Sequence, residues 1–416
     1  MKTLFKVSFF LFSFSLISAT TLDQANSHQF YWLKIQAYDK FQRSIISEDG
    51  IAIEIVRDDY VIAYGSEIEK EKMEKRGWLL ASSNLVIEKE MGAKDFPQED
   101  QLYHSYTELT TELNALAKDN SDIMKLGSIG KTVENRDIMG VEITADFANA
   151  AQKPAFLVMG GHHAREHLSV EMPLKFIKYL IDGYRTGNPR VKSFVENRDI
   201  HIIPAVNPDG LEFDVSTSSY KMWRKNRVKN SNGTFGVDLN RNYGFQWGTG
   251  GSSSSPSSDT YMGPKAFSEP ETQAIKNYVE SHENITILLS FHSFSKLILF
   301  PWGHKYADIE NGNDLLVHQK MAQKMSEWNG YTPQQSSDLY IASGDTTDWS
   351  YGVHKIISFT FELDPDDSGF GGGGFYPGPG AIDTSFAKNT EPLLYLLEYA
   401  DNPYRVLHMG IGPINP

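Results

Sequence analysis

Apolar positions along the chain follow two spacings, and from about residue 98 onward they predict alternating helices and strands. Six short apolar runs have the length of buried strands: 123–128, 138–144, 155–159, 199–206, 285–291 and 355–361. Five longer stretches carry apolar residues at helical spacing: 103–118, 166–184, 270–282, 315–329 and 389–398. We therefore predict an α/β fold, with a mixed, mainly parallel twisted sheet and helices on both faces.

The pattern upstream of residue 98 is different and predicts a separate small unit. Its segments follow the order strand, helix, strand, strand, helix, strand, over 30–37, 38–48, 51–56, 60–64, 67–76 and 78–88. This order is typical of a small ferredoxin-like α+β unit. The polar segment 89–97 contains Gly and Pro, as exposed linkers do. Lys89 and Lys94 would make it open to proteolytic nicking, and a plain inter-domain loop is the alternative.

The first residues have the pattern of a secretory signal. Lys2 and Lys6 are basic, residues 7–17 are mostly apolar, and the small residues Ser18 and Ala19 follow. The apolar run is short for a bilayer-spanning helix, although a retained N-terminal anchor is the alternative. We expect residues 1–20 to be removed and the protein to be secreted, either to the outside of the cell or to a periplasm.

Composition narrows the classes of partner. The formal net charge of −14 over 416 residues argues against nucleic acid and against an anionic membrane, since both need clustered Lys and Arg. The excess of carboxylates is compatible with a structural Ca²⁺ ion, but no twelve-residue loop has the EF-hand spacing. The chain has no cysteine, which excludes thiol nucleophiles and disulfides. Any bound zinc must therefore be held by His, Asp or Glu.

Residues 162–167, with the sequence HHAREH, place imidazoles and a carboxylate where a predicted strand gives way to a predicted helix. On one helical turn, residues three apart point the same way, so we expect His163 and Glu166 to reach one cation. A neutral imidazole and a carboxylate suit zinc, which binds both at about 2.0–2.2 Å. The segment therefore predicts half of a metal site.

Polar side chains follow three of the predicted strands at their carboxyl ends. His163 comes shortly after the run 155–159, His292 directly after 285–291, and Glu362 directly after 355–361. Ligands of open α/β sheets bind beyond these strand ends. A single polar residue there is usually structural, but three together with the His-x-x-Glu spacing predict a metal site.

Six short motifs, in this order along the chain, resemble those of the metallocarboxypeptidase family of the carboxypeptidase A/B type. They are GHHARE at 161–166, MWRKNR at 222–227, VDLNRN at 237–242, SFHS at 290–293, YIASGDTTDW at 340–349 and FTFE at 359–362. The SSDLY and GDTTDW stretches are most similar to the bacterial carboxypeptidase T branch. The resemblance implies a hydrolase that removes the last residue of peptides and proteins with the help of zinc.

The resemblance implies a role for each residue near the metal. His163, Glu166 and His292 would bind one Zn²⁺ ion, a two-His, one-Glu set for which carboxypeptidase A is the standard example. His162 is the alternative first ligand, but the motif spacing selects His163. Asp238 would accept a hydrogen bond from a zinc-binding histidine, and a capping Asp is its other interpretation.

Two further residues would carry the chemistry. By resemblance, Glu362 would be the general base that deprotonates the zinc-activated water and later protonates the leaving amine. Arg224 would stabilise the negative charge that develops on the scissile carbonyl oxygen. Without the resemblance, Arg224 is one of several charges of a solvated basic face over 221–229.

An enzyme that acts at chain ends must recognise a free terminal carboxylate, which a guanidinium binds with two hydrogen bonds. The resemblance assigns this task to Asn240 and Arg241, with Arg165, Tyr340 and Ser293 also contacting substrate. Tyr340 would lie on a loop that closes over the substrate.

A pocket with Asp345 and Thr347 would take the side chain of the last substrate residue. Thr347 stands at the family's main selector position and is neither acidic nor apolar. Asp345 matches the branch that accepts basic and apolar ends, so we expect a broad preference for hydrophobic and basic C-terminal residues.

The resemblance also divides the chain. Residues 21–94 correspond to an inhibitory propeptide, which an activating protease would remove, and residues 95–416 to the catalytic domain. The partners expected are therefore peptide C-termini and that protease, and the protein is expected to be a monomer. The alternative function is a related zinc hydrolase acting on cell-wall peptides or acylated amino acids, against which the pair Asn240 and Arg241 argues.

Overall fold

The computed structural model describes residues 30–84, 96–216, 220–366 and 373–408. The predicted signal segment, the predicted boundary at residues 94 and 95, and most of the predicted linker therefore lie outside the described residues. Within the described ranges, no helix combines the length and the apolar character needed to cross a bilayer.

The N-terminal unit is a four-stranded antiparallel sheet with two helices. Its elements are β1 (Phe30–Gln36), α1 (Lys40–Glu48), β2 (Ala52–Val56), β3 (Tyr60–Ser66), α2 (Glu67–Arg76) and β4 (Leu79–Asn84), and the strands lie in the order β2-β3-β1-β4. Asp39 caps α1, and a capping box of Ser66 and Glu69 starts α2. Leu33 and Met73 belong to the unit's own buried apolar cluster.

The larger part of the chain is built on an eight-stranded sheet with the order β11-β10-β12-β9-β7-β8-β6-β5. Its strands are β5 (Met124–Lys131), β6 (Asp137–Ile143), β7 (Ala155–Met159), β8 (Asp199–Ile203), β9 (Ile285–Ser293), β10 (Leu297–Phe300), β11 (Thr332–Gln335) and β12 (Ile357–Leu363). The centre of the sheet, β12-β9-β7-β8, is parallel throughout. Parallel strands bring their carboxyl ends to one edge of the sheet, which is where the site residues lie.

Helices cover both faces of this sheet. They are α3 (Tyr106–Asp119), α4 (His167–Arg185), α5 (Pro189–Asn197), α6 (Pro208–Asp214), α7 (Pro270–Glu280), α8 (Gly312–Asn329), α9 (Thr346–His354) and α10 (Gly380–Tyr399). Strand β7 is fully buried: Phe156 and Val158 pack in one apolar cluster with α4 and α10, whereas Leu157 packs on the other side with α7 and α9. Burial on both faces explains why β7 is an unbroken apolar run.

The prediction of a mixed, mainly parallel sheet with helices is confirmed. The sequence pattern did not predict α5, α6, α9, β10 or β11, and α10 begins at Gly380 rather than near residue 389. The strands β9 and β12 are each two residues longer than predicted at their carboxyl ends, so that His292 and Glu362 lie on the strands and not after them.

Candidate active site

The histidine-rich segment is a turn between β7 and α4. Gly161 has a φ of +66°, and a Cβ on Gly160 would lie 2.0 Å from the carbonyl oxygen of Ser169, so both positions require glycine. The backbone N–H of Glu166 donates to the carbonyl of His163 at 3.2 Å. The expectation that the pair shares a helical turn was wrong, because α4 begins only at His167. The tight turn brings the two side chains together instead.

Three side chains converge at the carboxyl edge of the sheet. Nδ1 of His163 lies 2.7 Å from one oxygen of Glu166, and Nδ1 of His292 lies 2.9 Å from the other. The two Nδ1 atoms are 3.2 Å apart. Within the described ranges, this is the one group of three or more His, Cys, Asp or Glu residues whose ligand atoms lie close enough to hold a metal ion.

The donor set fits zinc. All three side chains are buried, and their donor atoms face one another, as ligands of a single cation do. Burial lowers the pKa of His292, which keeps its imidazole neutral and able to bind a metal. Burial opposes the ionisation of Glu166, but the adjacent His163 and His292 hold its pKa below the usual range, so the carboxylate is anionic.

Behind the metal-binding group lies a buried ion pair. Oδ1 of Asp238 is 3.1 Å from Nε2 of His163, and Nε of Arg224 donates to Oδ2 at 2.9 Å. Burial would raise the pKa of Asp238, but Arg224 and His163 hold it well below its usual range. Asp238 therefore fixes the ring of His163 and the guanidinium of Arg224 at once.

Glu362 stands opposite this pair on β12. It is the register partner of His292 on the neighbouring strand β9, which brings its carboxyl group to the same edge. Burial, together with the charges of Glu166 and Glu54, raises its pKa well above the usual value. The carboxylate is therefore a stronger base than an ordinary glutamate, as a proton acceptor requires.

A cavity of about 490 Å³ joins the metal-binding group to the other predicted residues. Eleven of the thirteen predicted site residues line it: His163, Glu166, Arg224, Asn240, Arg241, His292, Ser293, Tyr340, Asp345, Thr347 and Glu362. Asp238 lies behind His163. Arg165 is fully buried away from the cavity lining.

Arg241 and Asn240 follow Asp238 on a short 3₁₀ helix, Leu239–Arg241. The Asn240 backbone N–H donates to Oδ1 of Asp238 at 3.0 Å, and Nη1 of Arg241 donates to the Asn240 carbonyl at 2.7 Å. The buried carboxylate of Asp238 therefore positions His163, Arg224 and the start of this turn. The turn holds a guanidinium and an amide side by side at the cavity wall.

The cavity lining also includes apolar side chains and the carboxyl group expected in the specificity pocket. Leu297, Leu299 and Leu339 line the cavity, as does Asp345 at the start of α9. Oδ1 of Asp345 accepts the Asp348 backbone N–H at 2.9 Å, while Oδ2 is buried and has no hydrogen-bond partner among the described residues. Burial and the charge of Asp348 raise the pKa of Asp345 to about 7.

The N-terminal unit forms a wall of the same cavity. Ile53, Glu54 and Val56 of β2 line it. An oxygen of Glu54 lies 2.5 Å from Nη2 of Arg165, whose Nη1 donates to Asp259 at 2.8 Å. This contact, rather than the cavity, accounts for the position of Arg165.

Helix α1 of the N-terminal unit is hydrogen-bonded to the loop that carries Tyr340. Arg43 donates to the carbonyls of Asp338 and Leu339 at 2.9 and 2.6 Å, and Ser44 accepts the Ile341 backbone N–H at 2.8 Å. The Tyr340 hydroxyl itself donates to the Ile53 carbonyl at 3.4 Å. The loop is thus held on both sides of Tyr340.

Sequence reasoning missed Glu54 and Asp259 as site neighbours. Neither stands in one of the six motifs, and the sequence signals no pairing between residues so far apart in the chain. His162, the alternative ligand, is fully buried beside the group: its ring stacks on that of His292 at 5.4 Å, and its Nε2 lies 2.9 Å from the Tyr243 hydroxyl.

The chain matches the family model described as zinc carboxypeptidase over residues 109–391. A zinc carboxypeptidase of Saccharothrix mutabilis subsp. capreolus is 40% identical over 326 residues, which are 76% of this chain and 74% of the relative. Carboxypeptidase A2 of Rattus norvegicus is 35% identical over 268 residues, 63% of each chain.

Two solved structures are similar in fold. Carboxypeptidase A from Helicoverpa armigera superposes with a TM-score of 0.73 at 24% identity, covering 90% of this chain and 97% of that one. Bovine thrombin-activatable fibrinolysis inhibitor, solved in complex with a tick carboxypeptidase inhibitor, gives a TM-score of 0.63 at 27% identity, covering 72% of this chain and 97% of that one.

Proposed function

The chain belongs to the zinc carboxypeptidase family, and we propose that it is the secreted zymogen of an enzyme that hydrolyses the last peptide bond of peptides and proteins. It is a zinc metallocarboxypeptidase, a hydrolase. The observation that carries the proposal is the cavity in which a two-His, one-Glu group, an isolated glutamate and an amide–guanidinium pair meet.

His163, Glu166 and His292 would hold the zinc ion. When bound, zinc supplies Lewis-acid chemistry that makes water acidic and the scissile carbonyl electrophilic. The residues around it prepare that chemistry. Asp238 keeps Nδ1 of His163 aimed at the group by holding Nε2 at 3.1 Å.

Glu362 would move the proton. Its carboxylate removes a proton from the attacking water as the oxygen bonds to the carbonyl carbon, and it gives that proton to the amine nitrogen when the C–N bond breaks. The raised pKa favours the first half of this exchange, because it makes the carboxylate a stronger base than an ordinary glutamate.

Arg224 would stabilise the charge that develops on the carbonyl oxygen. Its guanidinium is oriented before substrate arrives, because Nε is bonded to Asp238 at 2.9 Å and the side chain is buried. A preorganised cation in a water-poor site stabilises the transition state more than one in water.

Asn240, Arg241 and Tyr340 would read the terminal carboxylate, and Ser293 would contact the substrate backbone. All four line the cavity. A role for Arg165 in reading the carboxylate requires that Glu54 leave first, because Glu54 and Asp259 occupy its guanidinium.

The pocket supports a broad preference at the last residue. Leucine walls suit apolar side chains, and the buried free oxygen of Asp345 suits the cation of Lys or Arg. The Thr347 hydroxyl donates to Oδ1 of Asp345 at 2.6 Å and does not bond Oδ2.

The N-terminal unit would be the inhibitory propeptide, residues 21–94, preceded by a signal peptide of residues 1–20 and followed by the mature enzyme, residues 95–416. Its order of strands and helices supports a ferredoxin-like prodomain. Its position over the cavity supports the inhibitory role. An activating protease would cut between the two, and the mature enzyme would act as a secreted monomer.

Replacing Glu362 by Gln tests the proposed chemistry. We expect kcat/KM for a free-acid peptide to fall by about a thousandfold, because the proton carrier is lost, while the enzyme still binds one zinc ion per chain by atomic absorption. Glu283→Gln, at an exposed loop position, is the control and keeps wild-type activity. A Glu362→Gln enzyme with more than a tenth of wild-type activity would exclude Glu362 as the base.

A further inference from the structure

The orientation of the Asn240 side chain decides whether it attracts or repels a substrate carboxylate. The amide has an NH₂ group that donates hydrogen bonds and an oxygen that only accepts them. With the NH₂ towards the cavity, Asn240 binds a carboxylate. With the oxygen towards it, two acceptors would face each other. Something must therefore select one of two orientations that differ by half a turn of the side chain.

Thr346, the first residue of α9, contacts the amide with two donors. Its backbone N–H donates to Oδ1 of Asn240 at 3.0 Å, and its hydroxyl donates to the same oxygen at 2.9 Å. A backbone N–H can only donate, so the atom that faces Thr346 must be the oxygen. The NH₂ group is then the part of the amide that is left for the cavity.

The Thr346 hydroxyl is itself held in place. Thr346 is 1% exposed, and its Oγ1 lies 3.2 Å from Nε2 of His162. The same ring nitrogen is 2.9 Å from the Tyr243 hydroxyl, and the His162 ring stacks on His292 with 18° between the planes. A chain of contacts therefore runs from a metal-binding histidine to the amide that faces the substrate.

We propose that Thr346 is a positioning residue for substrate recognition: its backbone N–H and its hydroxyl, which is held by His162, together set the amide of Asn240 so that the NH₂ group reads the terminal carboxylate. The proposal rests on the proposed carboxypeptidase function. It is separate from the capping of α9, which Asp345 provides by accepting the Asp348 backbone N–H.

Three variants test the proposal; each is made in the full chain, which is then activated by limited proteolysis. Thr346→Val keeps the shape of the side chain and removes the hydroxyl, and Thr346→Ala is the second variant should the first fold poorly. Thr346→Ser restores the hydroxyl. Ser350→Ala is the matched control, since Ser350 is a buried hydroxyl of the same helix that bonds Ser358 at 2.7 Å and not Asn240.

We expect Thr346→Val to raise KM for free-acid peptides about tenfold, with kcat within about twofold of wild type, because one of two donors to Oδ1 is lost. Thr346→Ser should return KM to the wild-type value, and Ser350→Ala should not change it. An unchanged KM in Thr346→Val, or a Ser variant as poor as Val, would overturn the proposal.

A pair of inhibitors separates orientation from general damage. An arylalkyl succinate carries a carboxylate that can bind Asn240 and Arg241, whereas a small hydroxamate binds the metal and has no such carboxylate. Thr346→Val should weaken the succinate about tenfold and leave the hydroxamate unchanged. Equal weakening of both would mean a structural role. Wild-type enzyme that releases no C-terminal residue would contradict the proposed function itself, which distinguishes that failure from this one.

Discussion

Asp345, which is buried, and Glu362, which is half-buried, are two carboxyl groups of one cavity whose surroundings suit them to different tasks. The charges of Glu166 and Glu54 act on Glu362, whereas the charge of Asp348 acts on Asp345, at the start of α9. Both pKa values are raised, mainly by burial. One group can therefore exchange a proton with reacting atoms, while the other controls the charge of the pocket.

At this scale we predict a pH-dependent specificity. Burial and the charge of Asp348 raise the pKa of Asp345 to about 7, against the opposing charge of Arg241. Asp345 is therefore mostly neutral at pH 6 and mostly anionic at pH 8. The ratio of kcat/KM for peptides ending in Arg to that for peptides ending in Leu should therefore rise up to about tenfold from pH 6 to pH 8. Steady-state hydrolysis of the two peptides over that range measures the ratio.

Asp345→Asn is the control for this prediction, because an amide of the same shape does not titrate. Its ratio should stay flat with pH and at a low value. A wild-type ratio that does not change between pH 6 and pH 8, or that rises equally in Asp345→Asn, would exclude Asp345 as the titrating group of the pocket.

The residues of the metal-binding group could be predicted because His163 and His292 stand near the ends of apolar strands and all three residues stand in motifs. Thr346 and Glu54 could not be assigned roles in this way. Thr346 is one more hydroxyl in a polar stretch, and its contact with Asn240 depends on how α9 meets the turn at Leu239–Arg241. Such contacts arise from tertiary packing, for which the sequence has no local signal.

At the scale of elements, α9 and β11 show why some segments were missed. α9 begins with Thr346, Thr347 and Asp348, which are polar and yet buried, so it lacks the apolar stripe of an amphipathic helix. β11 is Thr332–Gln335 and contains no apolar aliphatic or aromatic residue. Both elements line the cavity, where polar residues replace the usual core pattern.

Gly251 packs closely against the loop that carries Tyr340. Its φ is +63°, and a Cβ there would lie 1.7 Å from the carbonyl oxygen of Ile341, next to Tyr340. We predict that Gly251→Ala lowers the free energy of unfolding by about 3 kcal/mol or more, because the left-handed backbone is strained and the Tyr340 loop must move. KM for free-acid peptides should rise as well. Thermal denaturation and steady-state kinetics measure both effects.

Gly233→Ala is the matched control for this substitution. Gly233 has a φ of +88°, but among the described residues no heavy atom lies within 4 Å of its added Cβ, so only the backbone strain of about 1–2 kcal/mol applies. Its KM should equal that of the wild type. If Gly251→Ala behaved like Gly233→Ala in both measurements, the contact with Ile341 would not position the Tyr340 loop.

At the scale of the whole molecule, the contacts between the N-terminal unit and the cleft include the buried ion pair of Glu54 with Arg165, the exposed pair of Lys40 with Asp338, and the hydrogen bonds to the Tyr340 loop. Glu54 and Arg165 lie 2.5 Å apart and are both buried, and such a pair is costly to break on one side. The order of elements and motifs along the chain could predict that it contains two units. It could not predict which surfaces of the two units meet, because the residues in contact are far apart in the chain and share no sequence pattern.

We predict that Glu54→Gln weakens this contact. The neutral amide leaves the Arg165 cation with Asp259 alone, so the N-terminal fragment should dissociate at least about tenfold more readily from the cut enzyme. Size-exclusion chromatography after limited proteolysis measures the retained fragment. Glu71→Gln is the control, since within the described ranges Glu71 accepts a hydrogen bond from the neighbouring Lys75 on α2 and from no residue outside the N-terminal unit. Equal retention in Glu54→Gln and Glu71→Gln would show that the ion pair does not hold the unit.

The proposed carboxypeptidase function is tested most directly by comparing a peptide that has a free C-terminus with the same peptide after amidation. The proteolytically activated chain is incubated with each, with and without a zinc chelator, and the products are identified by mass spectrometry. We predict removal of single residues from the free-acid end only, loss of this activity with the chelator, and its return with added Zn²⁺. Release from the amidated peptide, internal cleavage, or release that the chelator does not affect would contradict it.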